Sequence, residues 1–315
     1  MSKLTKQVVV ETANLTKNYD KTTVVDKLNL RIEEGDIFGF LGPNGAGKTT
    51  TILMLLGLTE PTSGTAHIYG YNSTREPLKV KRITGYVPEK AGFYEDLTAS
   101  YNLAYTARLN GLSEDLVMKR VKESLEIVGL ADKADQQVGQ FSRGMKQRLA
   151  IADILVKMPR VAILDEPTSG IDPEGIVQML DMIANIAKER NMTIIMCSHQ
   201  LYQVQRICNR VGILVAGKLV VEGLLDQLGR EALGGGRLRI EVKLAETTSE
   251  LVECIRRVSG VVSVERSGDL LFIACLEDLR PQIAKAIVDA NGLLEEMKIQ
   301  SYALEDIYRK YFREA

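Results

Sequence analysis

The sequence lacks several features that mark membrane or secreted proteins. No apolar run approaches the ~18 residues that a membrane-spanning helix needs. The N-terminus, MSKLTKQVVVET, has too few apolar residues for a secretory signal peptide. We therefore expect a cytoplasmic protein that reaches a membrane only through a partner.

The sequence also has no excess of one charge sign, and its cysteines do not have the spacing of a metal site. The 40 Lys and Arg residues against 41 Asp and Glu residues give a net charge of −1, so no nucleic-acid partner is expected. The 4 cysteines show no paired metal spacing, and three lie in apolar runs, which is typical of buried thiols. The 315 residues, 45% of them hydrophobic, are enough for two globular domains.

Strand-like and helix-like segments alternate through the first two-thirds of the chain. Short β-rich runs occur at Leu28–Ile32, Asp36–Gly42, Arg160–Glu166 and Met192–Ser198. The last three are apolar almost throughout, as in strands of a parallel sheet that is covered on both faces. Helical periodicity follows these runs, so the pattern predicts an α/β domain with crossover helices.

The predicted domains are residues 5–233 and 237–315, separated by the glycines of LGGGRL. Within the first, about 96–156 reads as an inserted helical subdomain, and Val211–Gly223 as a hairpin turning at Ala216-Gly217. The second reads as strand, helix, strand, strand, helix and a last strand near Leu294–Ile299, which favours a small ferredoxin-like α+β domain. A terminal helical face follows at Leu304, Ile307, Tyr308 and Tyr311.

The stretch GPNGAGKT lies between an apolar strand and an amphipathic helix, which is the setting of a phosphate-binding P-loop. Its glycines let backbone N–H groups point at phosphate oxygens, Lys48 can reach the β- and γ-phosphates, and Thr49 can offer a hydroxyl to Mg²⁺. We therefore expect ATP and Mg²⁺ as ligands, with nucleotide contacts from Gly42, Asn44, Gly45, Ala46, Gly47, Lys48, Thr49 and Thr50.

A second motif, VAILDEP, ends an apolar strand with two carboxylates. Asp165 is predicted to hold Mg²⁺, and Glu166 to polarise an attacking water. The alternative is a pair of acids that only caps the next helix.

A third motif, GQFSRGMKQRLAIAD, sets a serine and a glycine before a helical pattern, almost a hundred residues after the P-loop. The order P-loop, FSRGM, ILDEPTSGID and CSH resembles the ATP-binding cassette (ABC) family, over about Val8–Gly223. The resemblance implies a P-loop NTPase fold, with a RecA-like parallel or mixed sheet and an inserted helical subdomain.

In that family two cassettes pair head to tail, and the FSRGM-type motif of one closes over the γ-phosphate in the P-loop of the other. Ser142 would then donate its hydroxyl, and Gly144 would let the backbone approach at the positive end of a helix. Alternatively, Ser142 is a simple helix N-cap. Arg143 and Met145 replace the commoner glycine and glutamine of this motif.

Further roles come from the resemblance one position at a time. Tyr19 matches the aromatic residue that stacks on adenine, or is an ordinary strand tyrosine. His199 matches a histidine that contacts the γ-phosphate and assists catalysis with Lys48 and Glu166. Asp172 matches the acid of the loop that links the cassettes. Glu89 replaces a common glutamine that senses γ-phosphate and metal; as a carboxylate it would act through Mg²⁺ or water, or else is a solvated acid.

The resemblance implies the ATP-hydrolysing subunit of an ABC transporter, similar to the ABC-2 type exporters of bacteria and archaea. A homodimer or cassette pair would drive a separate polytopic permease from the inner face of the cell membrane. Phe93, Tyr94 and Tyr101 either meet that membrane subunit or pack their own loop.

The alternative function is a soluble ABC ATPase that acts on DNA or ribosomes. A long heptad insertion, a second cassette and a basic arm would support it, and the sequence has none of them. The second domain carries no motif for chemistry, and we expect it to stabilise or regulate the dimer.

Overall fold

The computed structural model describes residues 7–232, 238–268 and 270–299. The chain divides into two compact units between Gly223 and Leu224. Residues 233–237 of the predicted linker LGGGRL and the terminal helical face of Leu304, Ile307, Tyr308 and Tyr311 lie outside the described residues, and the domain limits 5–233 and 237–315 stay predictions. Among the described helices, none is both long and apolar enough to cross a membrane.

The first unit contains eleven strands and seven α-helices in the part described. In chain order these are β1 (Val8–Tyr19), β2 (Thr22–Leu28), β3 (Arg31–Glu33), β4 (Ile37–Leu41), α1 (Lys48–Leu55), β5 (Ser63–Ile68), β6 (Tyr71–Asn72), α2 (Pro77–Ile83), β7 (Thr84–Val87), α3 (Ala99–Leu109), α4 (Glu114–Ile127), α5 (Arg143–Leu155), β8 (Val161–Asp165), α6 (Pro173–Arg190), β9 (Thr193–Ser198), α7 (Leu201–Ile207), β10 (Arg210–Val215) and β11 (Lys218–Leu224). The segment predicted as helical, about 96–156, therefore holds α3, α4 and α5.

The central sheet has the strand order β11-β10-β4-β9-β8-β7, and its strands from β10 to β7 run parallel. Both faces are covered. In β8, Val161 and Ile163 belong to one hydrophobic cluster, whereas Ala162 and Leu164 belong to another. Because alternate side chains of a strand point to opposite faces, burial on both sides explains the continuous apolar runs in the sequence. The predicted parallel α/β sheet is confirmed.

The first strand prediction, Leu28–Ile32, is wrong in its bounds. The structure ends β2 at Leu28 and begins β3 at Arg31, and the two strands pair with opposite ends of β1 in a smaller antiparallel sheet. Leu28, Leu30 and Ile32 are all buried, so the sequence alternates between buried and other residues as a single strand would. The predicted hairpin at Ala216-Gly217 is confirmed, with φ of 46° and 81° at the turn.

The second unit contains α8 (Leu225–Ala232), β12 (Leu238–Leu244), α9 (Ser249–Arg256), β13 (Val261–Ser267), β14 (Leu270–Cys275), α10 (Arg280–Asp289) and β15 (Leu294–Ile299). Its antiparallel sheet has the order β13-β14-β12-β15. Residues of α9 and α10, such as Ile255 and Ile283, share a hydrophobic cluster with the strands. From β12 onward this is the predicted ferredoxin-like arrangement.

Candidate functional site

The loops that carry the predicted chemistry follow four neighbouring strands of the central sheet. The parallel register pairs Leu41 with Ser198, Asp165 with Cys197, and Leu164 with Val87. The carboxyl ends of β4, β9, β8 and β7 therefore meet at one edge of the sheet. Ligands of open α/β sheets bind at such an edge.

The P-loop joins β4 to α1 and depends on glycine for its shape. Gly47 is the N-cap of α1 at φ 102°, and a Cβ atom on it would lie 2.6 Å from the carbonyl oxygen of Val24. Lys48 begins the helix and is only 7% exposed. Its Nζ donates to the carbonyl oxygens of Gly42 at 2.6 Å and Pro43 at 3.1 Å, so the ammonium group is held over the loop.

Asp165 meets the P-loop through Thr49, whose Oγ1 donates to Asp165 Oδ2 at 3.1 Å. Burial raises the pKa of the Asp165 carboxyl, and the Thr49 hydrogen bond opposes that rise. The nearby charges of Glu166 and Glu89 raise this pKa further, whereas Lys48 lowers it. The arrangement is a buried carboxylate, 5% exposed and close to two other acids, which a bound cation would stabilise.

Glu166 follows directly and its carboxylate is fixed by the end of β9. Oε1 accepts from the backbone N–H of His199 at 3.0 Å and lies 2.8 Å from His199 Nδ1. Ser198 Oγ lies 3.5 Å from Oε2. Glu166 also has a φ of 49°, uncommon for a residue other than glycine and frequent at functional sites. The structure thus brings together the predicted base and the predicted histidine.

Sequence reasoning missed a polar network behind this carboxylate. Thr168 Oγ1 donates to Gln203 Oε1 at 2.6 Å, and Gln203 Nε2 donates to Gln200 Oε1 at 2.6 Å. Gln203 is 1% exposed, and Ser198 Oγ lies 3.4 Å from its Oε1. Buried polar side chains are almost always hydrogen-bonded. A glutamine at position 203 in a helical pattern was therefore the one sequence feature that could have indicated this network.

A cavity of about 180 Å³ opens at this edge of the sheet. Nine predicted site residues line it together with Val24 of β2, which the sequence did not indicate; the nine are Asn44, Gly45, Gly47, Lys48, Thr49, Thr50, Glu89, Asp165 and Glu166. Gly42 and Ala46 belong to the same loop between β4 and α1, but they do not line the cavity. Tyr19 is outside this lining: it ends β1, is 46% exposed, and has Lys17 Nζ 5.0 Å from its ring centroid.

Three other predicted residues, Ser142, Gly144 and Asp172, line a separate cavity of about 780 Å³. Ser142 is the N-cap of α5, and its Oγ accepts from Met145 N at 3.3 Å. This contact matches the capping alternative, yet it leaves the hydroxyl proton free to donate elsewhere. Asp172 caps α6 by accepting from Gly175 N at 2.9 Å.

The predicted phosphate-binding residues therefore fall into two groups within one chain. In the part of the chain that the structure describes, no residue lines both cavities. One group surrounds the P-loop, and the other lies at the N-termini of α5 and α6.

A sequence profile described as "ABC transporter" matches residues 25–169. The bacitracin transport ATP-binding protein BcrA of Bacillus licheniformis is 44% identical over 244 residues, covering 78% of this chain and 78% of that protein. The chain belongs to the ABC transporter family. It is an ATP-binding subunit, and its activity is ATP hydrolysis coupled to transport.

Two further comparisons concern a drug-resistance protein and a solved cassette structure. The daunorubicin/doxorubicin resistance ATP-binding protein DrrA of Streptomyces peucetius is 32% identical over 295 residues, covering 94% of this chain and 88% of that protein. The dimeric cassette MJ0796, in a post-hydrolysis state with ADP and Pi, is 25% identical with a TM-score of 0.62, over 68% of this chain and 98% of that one. The expected P-loop NTPase fold and transporter function are confirmed.

The donor set of this ABC subunit also fits magnesium held together with a nucleotide. Within the described residues, no group of three or more His, Cys, Asp or Glu side chains could hold a metal alone. Thr49 and Asp165 offer one hydroxyl and one carboxylate in contact with each other. Mg²⁺ is commonly bound by such a pair with phosphate and water oxygens, rather than by an all-protein cage.

Proposed function

We propose that two copies of this subunit enclose two ATP molecules, each held by the P-loop of one copy and by Ser142 and Gly144 of the other. The separation of the predicted phosphate-binding residues into two cavities carries this proposal. One chain acting alone would need both groups in one cavity to hold one ATP. The dimeric arrangement of the similar cassette MJ0796 supports it.

Within each composite pocket, the P-loop cradles the phosphates. The backbone from Gly42 to Thr50, with the Asn44 side chain, surrounds the phosphate oxygens, and Lys48 turns its ammonium group toward the β- and γ-phosphates. Thr49 and Asp165 would hold Mg²⁺, and Glu89 would act on it through water. The ion would supply positive charge that neutralises the phosphates.

Glu166 orients the attacking water and accepts its proton. The His199 backbone N–H and ring hold the carboxylate in one orientation, which supports this role. His199 also contacts the γ-phosphate, so it connects the bound ATP to the general base Glu166. From the other copy, the Ser142 hydroxyl and the N-terminus of α5 stabilise the charge that develops on the γ-phosphate.

Two assignments concern the edges of the pocket. The exposed ring of Tyr19 stacks on adenine, for which only a π-face is needed. Asp172, at the N-terminus of α6, belongs to the loop that links the two copies.

The partner is a separate polytopic membrane subunit of an ABC-2 type exporter, which this subunit binds at the inner face of the membrane. Similarity to BcrA and DrrA supports export of a drug-like or peptide compound. ATP binding closes the pair of cassettes and moves the membrane subunit into its other state, and hydrolysis reopens the pair.

The Glu166→Gln variant tests the pairing and the role of the base. The amide keeps the shape of the side chain but removes the charge that accepts the proton. We expect ATP turnover to fall by about 10²-fold or more, while an ATP-bound dimer accumulates in analytical ultracentrifugation. Turnover at the wild-type rate would contradict the role of Glu166, and a monomer at saturating ATP and Mg²⁺ would contradict the pairing.

A further inference from the structure

Arg143 contacts the loop that follows Glu166. It is the first residue of α5, directly after Ser142, and its Nη2 donates to Ser169 Oγ at 3.2 Å. The guanidinium group also lies against Gly170, where any Cβ atom would overlap it. Gly170 has a φ of 70°, a conformation that favours glycine. The position of the Arg143 guanidinium group therefore requires a residue without a Cβ atom at position 170.

The contacted loop is short and is hydrogen-bonded back to Glu166. Ser169 N donates to the carbonyl oxygen of Glu166 at 3.0 Å, and Ile171 N donates to that of Thr168 at 3.2 Å. Thr168 is anchored in turn to the buried Gln203. The backbone of Ser169 is therefore hydrogen-bonded directly to the backbone of Glu166 across one turn.

A salt bridge does not account for the arginine. Among the described residues, no carboxylate forms an ion pair with Arg143, which is exposed at the rim of the larger cavity. Its planar guanidinium has five donors in a rigid fork, a shape that can rest on the flat face of Gly170 and also reach Ser169. Arg143 therefore holds the loop from Ser169 to Asp172 by two contacts, the hydrogen bond to Ser169 and the packing against Gly170.

We propose that Arg143 is a positioning residue, which holds the loop from Ser169 to Asp172 of its own copy and thereby sets the position of Glu166 in that copy. The proposal rests on the proposed function in one respect: Ser142 acts on the ATP of the other copy. Two adjacent residues then serve two sites, because Ser142 senses one nucleotide while Arg143 acts on the base beside the other. This contact links the two ATP sites of a dimer.

If Arg143 positions Glu166, its removal should lower the rate of ATP hydrolysis and leave ATP binding unchanged. Small misplacement of a catalytic group can reduce rate by up to ~10²-fold, and we expect Arg143→Ala to lower kcat about 10-fold with little change in KM for ATP. Ser169→Ala, which removes only the acceptor, should act in the same direction and add little to Arg143→Ala. The matched control Arg120→Ala removes a cation of α4 that pairs with Glu123, and should leave kcat unchanged.

Mixed dimers of separately tagged copies give the decisive test. A silent copy carries Glu166→Gln, and an active copy keeps Glu166, so one working site remains: it uses the P-loop of the active copy and Ser142 of the silent copy. We expect Arg143→Ala in the active copy to lower turnover about 10-fold, and the same change in the silent copy to have little effect. An effect confined to the silent copy, or equal activity in both placements, overturns the proposal.

Ser142→Ala in the same mixed dimers separates this proposal from the proposed function. The composite pocket predicts that Ser142→Ala lowers turnover when the silent copy carries it. If it acts only in the active copy, the composite pocket is wrong. If it acts as predicted but Arg143→Ala does not, only the positioning role is wrong.

Discussion

Asp165 occupies an environment that opposes its own charge. Burial raises the pKa of its carboxyl, and the charges of Glu166 and Glu89 raise it further. The native state therefore favours the protonated acid more than the unfolded chain does. At neutral pH the ionised carboxylate lowers the stability of the metal-free protein, which is expected of a group that, under the proposed function, holds Mg²⁺.

We predict that Asp165→Asn raises the melting temperature of the nucleotide-free and metal-free protein at neutral pH. Because the native pKa is raised, the stability that protonation contributes is present below the unfolded pKa and is lost as pH rises through the native value. The difference between variant and wild type should therefore shrink as pH falls. Asp135→Asn, at an exposed acid, is the control, and a lower melting temperature for Asp165→Asn at neutral pH would contradict the assignment.

Motif residues could be predicted from the sequence because their chemistry is local. Lys48, Thr49, Asp165 and Glu166 each lie in a run whose strand and helix context is readable, and the structure brings all four to one cavity. The contact between Arg143 and Gly170 could not be predicted, since it depends on which two loops lie side by side.

At the scale of elements, the N-terminus of α5 has two separable properties. Ser142 caps the helix by accepting from Met145 N, and under the proposed function the same side chain donates to the phosphate of the other copy. Aspartate caps a helix as well as serine does and interacts favourably with the helix dipole. It cannot donate a hydrogen bond when ionised, and it repels phosphate.

Ser142→Asp should therefore keep the melting temperature of the wild type and lose ATP-dependent dimerisation. Sedimentation in a Glu166→Gln background, where the dimer accumulates, measures the second property. Ser142→Ala is the comparison, since it removes the cap and costs about 1 kcal/mol of stability. Retention of the ATP-dependent dimer by Ser142→Asp would mean that this serine only caps the helix.

Strands were predictable where burial alone determines the pattern. The runs that became β4, β8 and β9 are apolar almost throughout because the sheet is covered on both faces. The run Leu28–Ile32 gave a wrong prediction because its three buried residues alternate across the boundary between two strands. These strands, β2 and β3, pair with different parts of β1. Alternation identifies the buried face, but it does not identify which strands pair.

At the scale of the whole molecule, the ferredoxin-like order of the second unit was readable from its alternating strands and helices. The pairing of two copies was not readable from periodicity or composition. It came from the family resemblance, and the two cavities of one chain give it a physical reason: nine of the predicted site residues line one cavity, and Ser142, Gly144 and Asp172 line the other.

The most direct test of the composite pocket mixes two inactive variants. Copies with Lys48→Ala lack a working P-loop, and copies with Ser142→Ala lack the contact from α5, so each homodimer has two defective sites. A mixed dimer has one intact site, formed by Lys48 of one copy and Ser142 of the other. Equal mixing should restore about one quarter of wild-type ATP turnover, since half of randomly formed dimers are mixed. A mixture no more active than the separate variants would contradict the composite pocket.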